Sequence, residues 1–380
     1  MYSGEINLVQ SDEAKILLIL TGGTICSFGD EAGLQRDVHI QKAQTLLLHY
    51  FEKSNSFCAG QKFETVSVLN TLSENMTIAK WNSLLDFLKT LDPGRYKGMV
   101  IAHGTDTLAY TSSLLAIALS EWNIPVFLVS SQLPLDQEDS NGNENFRCCV
   151  ELICSGIQPG VYVVYRNSDG KCFLHHGGHL VSCGDYSNDF YSKDAICLNI
   201  DNLSAALDIS SKKKDNSNDT MWLSQQHICC QRNGSGIPLQ KIGELKSDVL
   251  QIEPYVGLDY QRISLGEERE IRAVVHGLYH SATACIGATK EEQQENCSLL
   301  PFLERCKKKN IPVIVTPCPR DAAYVSGAAM LDAGALPVYG MTKEMVYIKA
   351  LLAGALGYSK DELYDFLKRD ICGEYIIEIL

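Results

Sequence analysis

Hydroxyl and carboxylate side chains directly follow two apolar stretches of this 380-residue chain. Thr24 lies in TGGTI, and Thr105 and Asp106 lie in HGTDT. A threonine hydroxyl can act as a nucleophile when a neighbouring group activates it, and a carboxylate beside it can position a reactant. In an open parallel sheet, ligands bind in the crevice at the carboxyl ends of the strands. We therefore expect these side chains to face a substrate at such an edge.

Glycines precede both threonines. Gly23 lets the backbone turn sharply and approach a ligand closely, and Gly104 holds the corresponding position in the second loop. Helical spacing of apolar residues begins at about Thr107, so the free N–H groups of a helix start would point into the same crevice and favour a carboxylate. One Gly-Thr loop is a weak signal, whereas two at the strand ends of one domain indicate a binding site much more specifically.

Strands alternate with helices through the first half of the chain. Apolar strands are predicted at 16–20, 63–69, 99–102, 125–130 and 160–165. Short loops and helical segments between them predict a doubly wound parallel sheet. The predicted fold class is α/β, with a larger N-terminal and a smaller C-terminal α/β domain.

The chain is long for one hydrophobic core, and its composition changes near the middle. We predict an N-terminal catalytic domain over 1–203, a polar linker over 204–247 and a C-terminal domain over 248–380. The last of these has a size within the usual range of domains and is predicted to end in two amphipathic helices.

Composition argues against two classes of partner. The net charge is −13, whereas binding to nucleic acid or to an anionic membrane needs clustered lysine and arginine. The one basic run, 212–214, lies in a polar segment typical of a solvated loop. No apolar run approaches the roughly 20 residues of a membrane span, and the first fifteen residues contain no apolar signal region. We expect a cytoplasmic protein whose 15 scattered cysteines are reduced thiols.

Patterns for a cofactor or a metal are absent from the sequence. GGTICSFG departs from the GxGxxG dinucleotide pattern, and no GK[ST] phosphate loop occurs. His175, His176 and His179 stand in HHGGH, which is not an established zinc spacing. A solvated strand edge is the favoured interpretation, with proton transfer by His179 or a neighbour as an alternative. The expected site uses no cofactor and no metal.

The two Gly-Thr motifs carry a family resemblance. TGGTI followed by HGTDT about eighty residues later resembles the bacterial-type L-asparaginases and their amidohydrolase relatives, including the asparaginase-like subunit of tRNA amidotransferases. Further counterparts are SENMT at 73–77, SSQLPLD at 130–136 and YGMTKE at 339–344, so the resemblance extends over most of the chain.

This resemblance implies hydrolysis of L-asparagine to L-aspartate and ammonia, without a cofactor. Thr24 would attack the side-chain amide, while Thr105 and Asp106 would bind the substrate amine and position water. In the family, a serine at the position of Ser73 receives the α-carboxylate, and its neighbour, here Glu74, helps to bind the α-amino group. The substrate-binding residues implied are Gly23, Ser73, Glu74, Gly104 and Ser131.

The family also implies an assembly and two further site residues. The expected partners are a small amino-acid substrate and other copies of the chain, in a homodimer or homotetramer in which a neighbour's second domain completes the site. A lid tyrosine of the family is replaced by Leu34, and the position of an activating lysine falls at about Val181, with no lysine between Lys171 and Lys193. An amino-acid-binding pseudoenzyme or sensor, or an amidohydrolase for a different or N-substituted asparagine or glutamine, is therefore the alternative function.

Overall fold

The first predicted strand shows why a parallel sheet forms. Strand β1, Lys15–Gly22, is buried at every position after Lys15. A parallel strand that helices cover on both faces has an apolar sequence throughout, because neither face meets water. The computed structural model describes residues 14–29, 36–200, 203, 236–266, 270–318 and 324–376. Leu34, the basic run 212–214 and most of the predicted linker lie outside these residues.

The strands after β1 are β2 (Ser27–Gly29), β3 (Arg36–Val38), β4 (Phe63–Thr71), β5 (Tyr96–Ala102), β6 (Pro125–Val129), β7 (Gly160–Arg166), β8 (Cys172–His176) and β9 (Ile196–Leu198). Seven strands of the N-terminal unit form one sheet in the order β4-β1-β5-β6-β7-β8-β9, and β2 and β3 form a separate antiparallel pair. The first five strands in this order are parallel, and β8 and β9 are antiparallel additions. The predicted α/β fold class is confirmed.

Helices cover both faces of this sheet. They are α1 (Ile40–Lys53), α2 (Ile78–Lys89), α3 (Leu108–Ala118) and α4 (Gly142–Cys154). Phe51 of α1 and Phe146 of α4 belong to the hydrophobic cluster on one face, and Trp81 of α2 and Leu115 of α3 belong to the cluster on the other. Helix α3 begins one residue after the predicted Thr107, which is its N-cap residue.

The C-terminal unit contains four strands, β10 (Val249–Ile252), β11 (Ala273–Gly277), β12 (Val313–Cys318) and β13 (Leu336–Tyr339). They form a parallel sheet in the order β10-β11-β12-β13. Its helices are α5 (Leu299–Lys308), α6 (Val325–Asp332), α7 (Lys343–Ala355) and α8 (Lys360–Leu367). The first of the two predicted amphipathic helices, α7, is instead buried along most of its length, because it lies between α3 and the small sheet.

The two sheets share a hydrophobic cluster that includes Leu17 and Leu115 on one side and Val275 and Ile314 on the other. The described part of the predicted linker, 236–247, packs against the N-terminal unit. Asn82 of α2 donates to the Leu245 carbonyl at 3.0 Å and accepts from its N–H at 2.9 Å. The division at 203 and 248 stays a prediction. Within the described residues, no helix is long and apolar enough to cross a membrane, and all 13 cysteines are free.

Candidate active site

Three neighbouring strand ends bring the predicted residues together. Strands β4, β1 and β5 are adjacent and parallel, so they end at the same edge of the sheet. Thr24 follows β1, Ser73 follows β4, and Thr105 and Asp106 follow β5. The structure thus collects residues that are far apart in the sequence at the carboxyl edge where ligands bind.

Glycine is required where the first and third of these loops touch. Gly23 has φ 78°, in the left-handed region, and a Cβ there would overlap the backbone of Gly104. A Cβ on Gly104 would lie 2.5 Å from Ser73 Oγ, which is too close for real atoms. The Gly23 N–H donates to the Thr71 carbonyl at 2.8 Å and so fixes the loop against β4. The absence of side chains at Gly23 and Gly104 is what allows the three loops to meet.

Ser73 and Asp106 form a polar pair at the centre of this edge. Ser73 Oγ donates to Asp106 Oδ2 at 2.5 Å and accepts from the Asp106 N–H at 3.3 Å. Thr107 Oγ1 donates to the Ser73 carbonyl at 3.1 Å. Ser73 is only 3% exposed, whereas Asp106 is exposed. The buried serine therefore holds a carboxylate that remains open to solvent.

Both threonines are partly exposed beside this pair. Thr24 opens a short 3-10 turn, Thr24–Cys26, and its carbonyl accepts from Ser27 Oγ at 3.1 Å, which fixes the turn. Among the described residues, neither the Thr24 nor the Thr105 hydroxyl has a protein hydrogen-bond partner. Glu74 is exposed in the neighbouring 3-10 turn, Ser73–Asn75. The edge thus presents two hydroxyls and two carboxylates to a ligand.

Ser131 has a different environment from the other predicted residues. It is fully buried after β6, and its hydroxyl donates to the Leu133 carbonyl at 2.5 Å and contacts Ser140 Oγ at 2.9 Å. These contacts close the loop between β6 and α4. Its role in substrate binding stays a prediction.

Lys80 is a residue at this edge that the sequence analysis missed. Its Nζ donates to Thr71 Oγ1 at 2.6 Å and to the Asn75 carbonyl at 2.7 Å, so it ties the end of β4 to the turn that carries Ser73 and Glu74. A signal for it exists in the sequence, because Lys80 lies in the first turn of α2, where the helix dipole disfavours a cation. A cation in that position needs another partner, and the strand end supplies it.

We expect Lys80→Met to raise KM for the substrate about tenfold, because losing a charged hydrogen bond costs roughly 1.5 to 3 kcal/mol and loosens the turn with Ser73 and Glu74. A smaller effect on kcat is expected, since Thr24 is on another loop. The measurement is steady-state kinetics, with Lys89→Met at the other end of the same helix as the control. An unchanged KM would mean that the turn keeps its position without Lys80.

The hairpin segment expected to lack the family lysine is fixed by contacts to two other parts of the chain. Val181 N–H donates to the Tyr191 carbonyl at 3.0 Å, and Ser182 N–H donates to Glu344 Oε1 at 3.0 Å. Burial, with smaller contributions from the Asp189 and Asp106 carboxylates, raises the pKa of the neighbouring Cys183 thiol to about 11. The segment therefore carries a neutral thiol, and no lysine, two residues from the predicted lysine position.

The three histidines do not form a solvated strand edge, and that expectation is wrong for His175 and His179, which are buried. His175 Nδ1 bonds Ser192 Oγ at 2.8 Å, and burial lowers its pKa to about 4. His179 contacts Asp194 Oδ2 at 2.6 Å through Nδ1 and the Gly373 carbonyl at 2.8 Å through Nε2. Both ring nitrogens of His179 thus join the hairpin to other segments. No group of three candidate metal ligands occurs in the described ranges.

Comparisons with known proteins show which chains this one resembles. Residues 15–181 match the family profile described as Asparaginase, N-terminal. An L-asparaginase from Thermococcus kodakarensis is 27% identical over 371 residues, covering 95% of this chain and 98% of that protein. A subunit of the glutamyl-tRNA(Gln) amidotransferase from Thermoplasma volcanium is 25% identical over 382 residues, covering 99% of this chain and 84% of that protein.

A solved structure is similar over nearly the whole length. The thermostable L-asparaginase from Thermococcus kodakarensis superposes with a TM-score of 0.69 at 24% identity, covering 96% of this chain and 100% of that one. At this identity the likeness concerns the fold, and it agrees with the large parallel sheet and the smaller second sheet described above.

Proposed function

The chain belongs to the asparaginase family, whose members are amidohydrolases, and from this premise we propose that it hydrolyses L-asparagine to L-aspartate and ammonia. The observation that carries the proposal is the meeting of Thr24, Ser73, Thr105 and Asp106 at one sheet edge, with both threonine hydroxyls open to a ligand. An edge of this kind can hold an amino acid by its charged end groups while a hydroxyl faces its side chain.

In the proposed reaction, Thr24 Oγ attacks the side-chain amide carbon of asparagine. The C–N bond then breaks, the proton of the Thr24 hydroxyl passes to the amide nitrogen, which leaves as ammonia, and an ester joins the aspartyl group to Thr24. Water cleaves that ester and restores the hydroxyl. Backbone N–H groups of the Gly23 and Gly104 loops stabilise the negative charge on the amide oxygen in both steps.

Substrate binding uses the charges of the same edge. Asp106 and Glu74 hold the α-ammonium group, and Ser73 together with the first N–H groups of α3 holds the α-carboxylate. Thr105 positions the water that cleaves the ester. Because the segment near Val181 carries no lysine, the group that helps to activate Thr24 in the family is missing. If no other group takes over this role, we expect the turnover rate to be roughly 10²- to 10⁴-fold lower than that of a family member with the lysine.

That missing cation favours a second candidate function, an amino-acid-binding protein with little or no turnover. A closely related alternative is an amidohydrolase for glutamine or an N-substituted asparagine, with Val181 and Cys183 accommodating a larger amide. The similarity to an amidotransferase subunit over 99% of this chain is compatible with such a change of substrate.

Ammonia release separates these candidates. The purified full chain is incubated with L-asparagine, L-glutamine and N-substituted asparagines, and ammonia or amine is quantified while calorimetry measures binding of L-aspartate. Release from L-asparagine above that from the other amides supports the proposed function. Binding of L-aspartate with no release from any amide would favour the binding protein, and release only from another amide would identify a different substrate.

We also propose that the chain forms a homodimer in which the second sheet of one copy covers the site of the other. Exposed apolar side chains follow the strands of the small sheet at its carboxyl edge. They are Tyr255 (61% exposed), Val256 (98%), Tyr279 (38%) and Tyr324 (60%). An exposed apolar cluster of this kind is typical of a protein interface.

The expected cytoplasmic location stays a prediction.

We expect Val256→Asp to convert the dimer to a monomer and to lower ammonia release at least tenfold, since a buried charge opposes the interface and an open site loses part of its wall. Light scattering gives the mass, and the same sample gives the rate. Asp332, which is already charged and exposed on α6, provides a control as Asp332→Asn. A wild-type chain that is monomeric and fully active would contradict this assembly.

A further inference from the structure

Two cysteines meet at the edge of the large sheet opposite the candidate site. Cys58 lies in the turn between α1 and β4, and Cys154 is the last residue of α4. Each precedes the amino end of a parallel strand, whereas the candidate site lies past the carboxyl ends. Both side chains are half-buried, and each thiol shifts the pKa of the other. Gln61 contacts both residues, since its N–H donates to the Cys58 carbonyl at 2.8 Å and its Oε1 lies 3.5 Å from Cys154 Sγ.

Polar neighbours hold the two sulfurs in place. Cys58 Sγ lies 3.3 Å from Ser56 Oγ, and Cys154 Sγ donates to Gln61 Oε1 at 3.5 Å. The Gln61 amide is itself fixed, because its Nε2 donates to the Ala14 carbonyl at 3.1 Å and to the Lys62 carbonyl at 2.9 Å. The turn therefore presents Cys58 to Cys154 through a connected set of contacts.

We propose that Cys58 and Cys154 form a reversible disulfide when the protein meets a peroxide, with Cys58 as the reacting thiol and Cys154 as the resolving thiol. The inference is independent of the proposed function, since neither residue lies at the candidate site. It concerns a modification that ties the α1–β4 turn to the end of α4.

The surroundings make Cys58 the first of the two to react. The neighbouring Cys154 side chain lowers the pKa of Cys58 to about 7 against the opposing effect of burial, and Ser56 and the Lys97 charge act in the same direction. The Cys58 side chain, together with burial, raises the pKa of Cys154. A half-exposed thiol that is substantially ionised near neutral pH, next to a second thiol, is the arrangement of a redox-sensitive cysteine.

The oxidation balances with hydrogen peroxide as the oxidant. The Cys58 thiolate attacks one peroxide oxygen, the O–O bond breaks, and hydroxide leaves to become water, which gives a sulfenic acid on Cys58. The Cys154 sulfur then attacks the Cys58 sulfur, and the displaced hydroxide takes up the Cys154 proton as a second water. Two thiols thus lose two electrons and two protons, and the peroxide is reduced to water.

A second pair in the same sheet provides an internal control. Cys148 and Cys172 are also neighbours, but both are buried. The Cys172 side chain and burial raise the pKa of Cys148 well above its usual value, so its thiol is protonated and shielded. We expect this pair to stay reduced under conditions that oxidise Cys58.

The test is peptide mapping of the full chain after brief treatment with hydrogen peroxide, alkylation of remaining thiols and digestion with trypsin. The expected product links peptide 54–62, which contains Cys58, to peptide 148–166. Since the second peptide also carries Cys148 and Cys149, two variants assign the bond. The link should disappear in Cys154→Ser and persist in Cys148→Ser, and dithiothreitol should reverse it.

Thermal unfolding gives a second readout. Closing a loop of nearly a hundred residues should raise the unfolding midpoint by about 5 °C in the oxidised wild type and leave Cys58→Ser unchanged. Three outcomes would each overturn the proposal. The first is a link that survives in Cys154→Ser, and the second is oxidation of Cys58 to a sulfinic or sulfonic acid while Cys154 stays a reduced thiol that can be alkylated. The third is oxidation of Cys148 and Cys172 before that of Cys58. Ammonia release is not needed for any of these outcomes.

Discussion

Thr24→Ala is expected to lower ammonia release from L-asparagine by roughly 10⁴-fold, because removing a nucleophile leaves only the contribution of substrate positioning and of the oxyanion-binding N–H groups. L-Aspartate should still bind with nearly unchanged affinity, since Ser73, Glu74 and Asp106 hold the end groups of the amino acid on other loops. The change in folding stability should be within about 0.5 kcal/mol, as Thr24 is partly exposed and its hydroxyl has no partner among the described residues.

Three controls make this prediction specific. Thr24→Ser keeps a hydroxyl and should retain measurable turnover. Thr21 lies near the end of β1, three residues before Thr24, and its hydroxyl donates to the Ala102 carbonyl at 2.7 Å. Thr21→Val removes this hydroxyl, so it tests structural damage without loss of the nucleophile. Thr105→Ala should slow cleavage of the ester, and an aspartyl group should then be found on peptide 16–36, which contains Thr24. Full activity of Thr24→Ala would move the nucleophile to another residue.

The sequence was sufficient to predict the sheet and the place of the motifs because those features are local. A continuous apolar stretch such as Ile16 to Leu20 is compatible with a strand buried on both faces, and a Gly-Thr loop directly after it marks the carboxyl end. Once five such strands alternate with helices, right-handed crossovers leave few possible topologies. Thr24, Thr105 and Asp106 then have to lie at one edge.

Features that depend on distant contacts could not be predicted in this way. The place of Lys80 in the first turn of α2 signals that it needs a partner, but it does not identify Thr71 and the Asn75 carbonyl as the groups that it binds. The sequence around His179 predicts an exposed strand edge because no local pattern shows that its ring bonds the Gly373 carbonyl, 194 positions later. It also predicts a solvent face for helix α7, because no local pattern shows that α3 and a second sheet enclose this helix.

Lys349→Met is expected to destabilise the fold by about 3 to 5 kcal/mol, because it leaves the Glu374 carboxylate buried without its counter-ion. Lys349 Nζ lies 2.6 Å from Glu374 Oε1 and also donates to the Arg369 carbonyl at 2.5 Å, and both side chains of the pair are fully buried. The pair joins α7 to the segment after α8. Urea unfolding followed by tryptophan fluorescence measures the loss.

Two variants separate the charge from the packing. Lys349→Met combined with Glu374→Gln removes both charges and keeps an acceptor for the N–H groups of Ile371 and Cys372, so most of the lost stability should return. Lys368→Met breaks an exposed pair with Asp365 and should change the free energy of unfolding by less than about 1 kcal/mol. Equal losses in the single and double variants would attribute the effect to packing alone.

The pH dependence of the same variant has a defined sign. Burial alone would raise the pKa of Glu374, but the Lys349 charge and the N–H groups of Cys372 and Ile371 together lower it to about 2. This carboxylate therefore stabilises the wild type above the usual carboxyl pKa of about 4.3, and that contribution falls as pH drops toward 2. In Lys349→Met burial is no longer opposed by the ammonium, so the pKa of Glu374 rises and protonation stabilises the folded variant as pH falls. The difference in free energy of unfolding between the wild type and Lys349→Met should consequently be largest near pH 7 and shrink toward pH 4. A difference that does not change with pH would show that the charge of Glu374 is not its source.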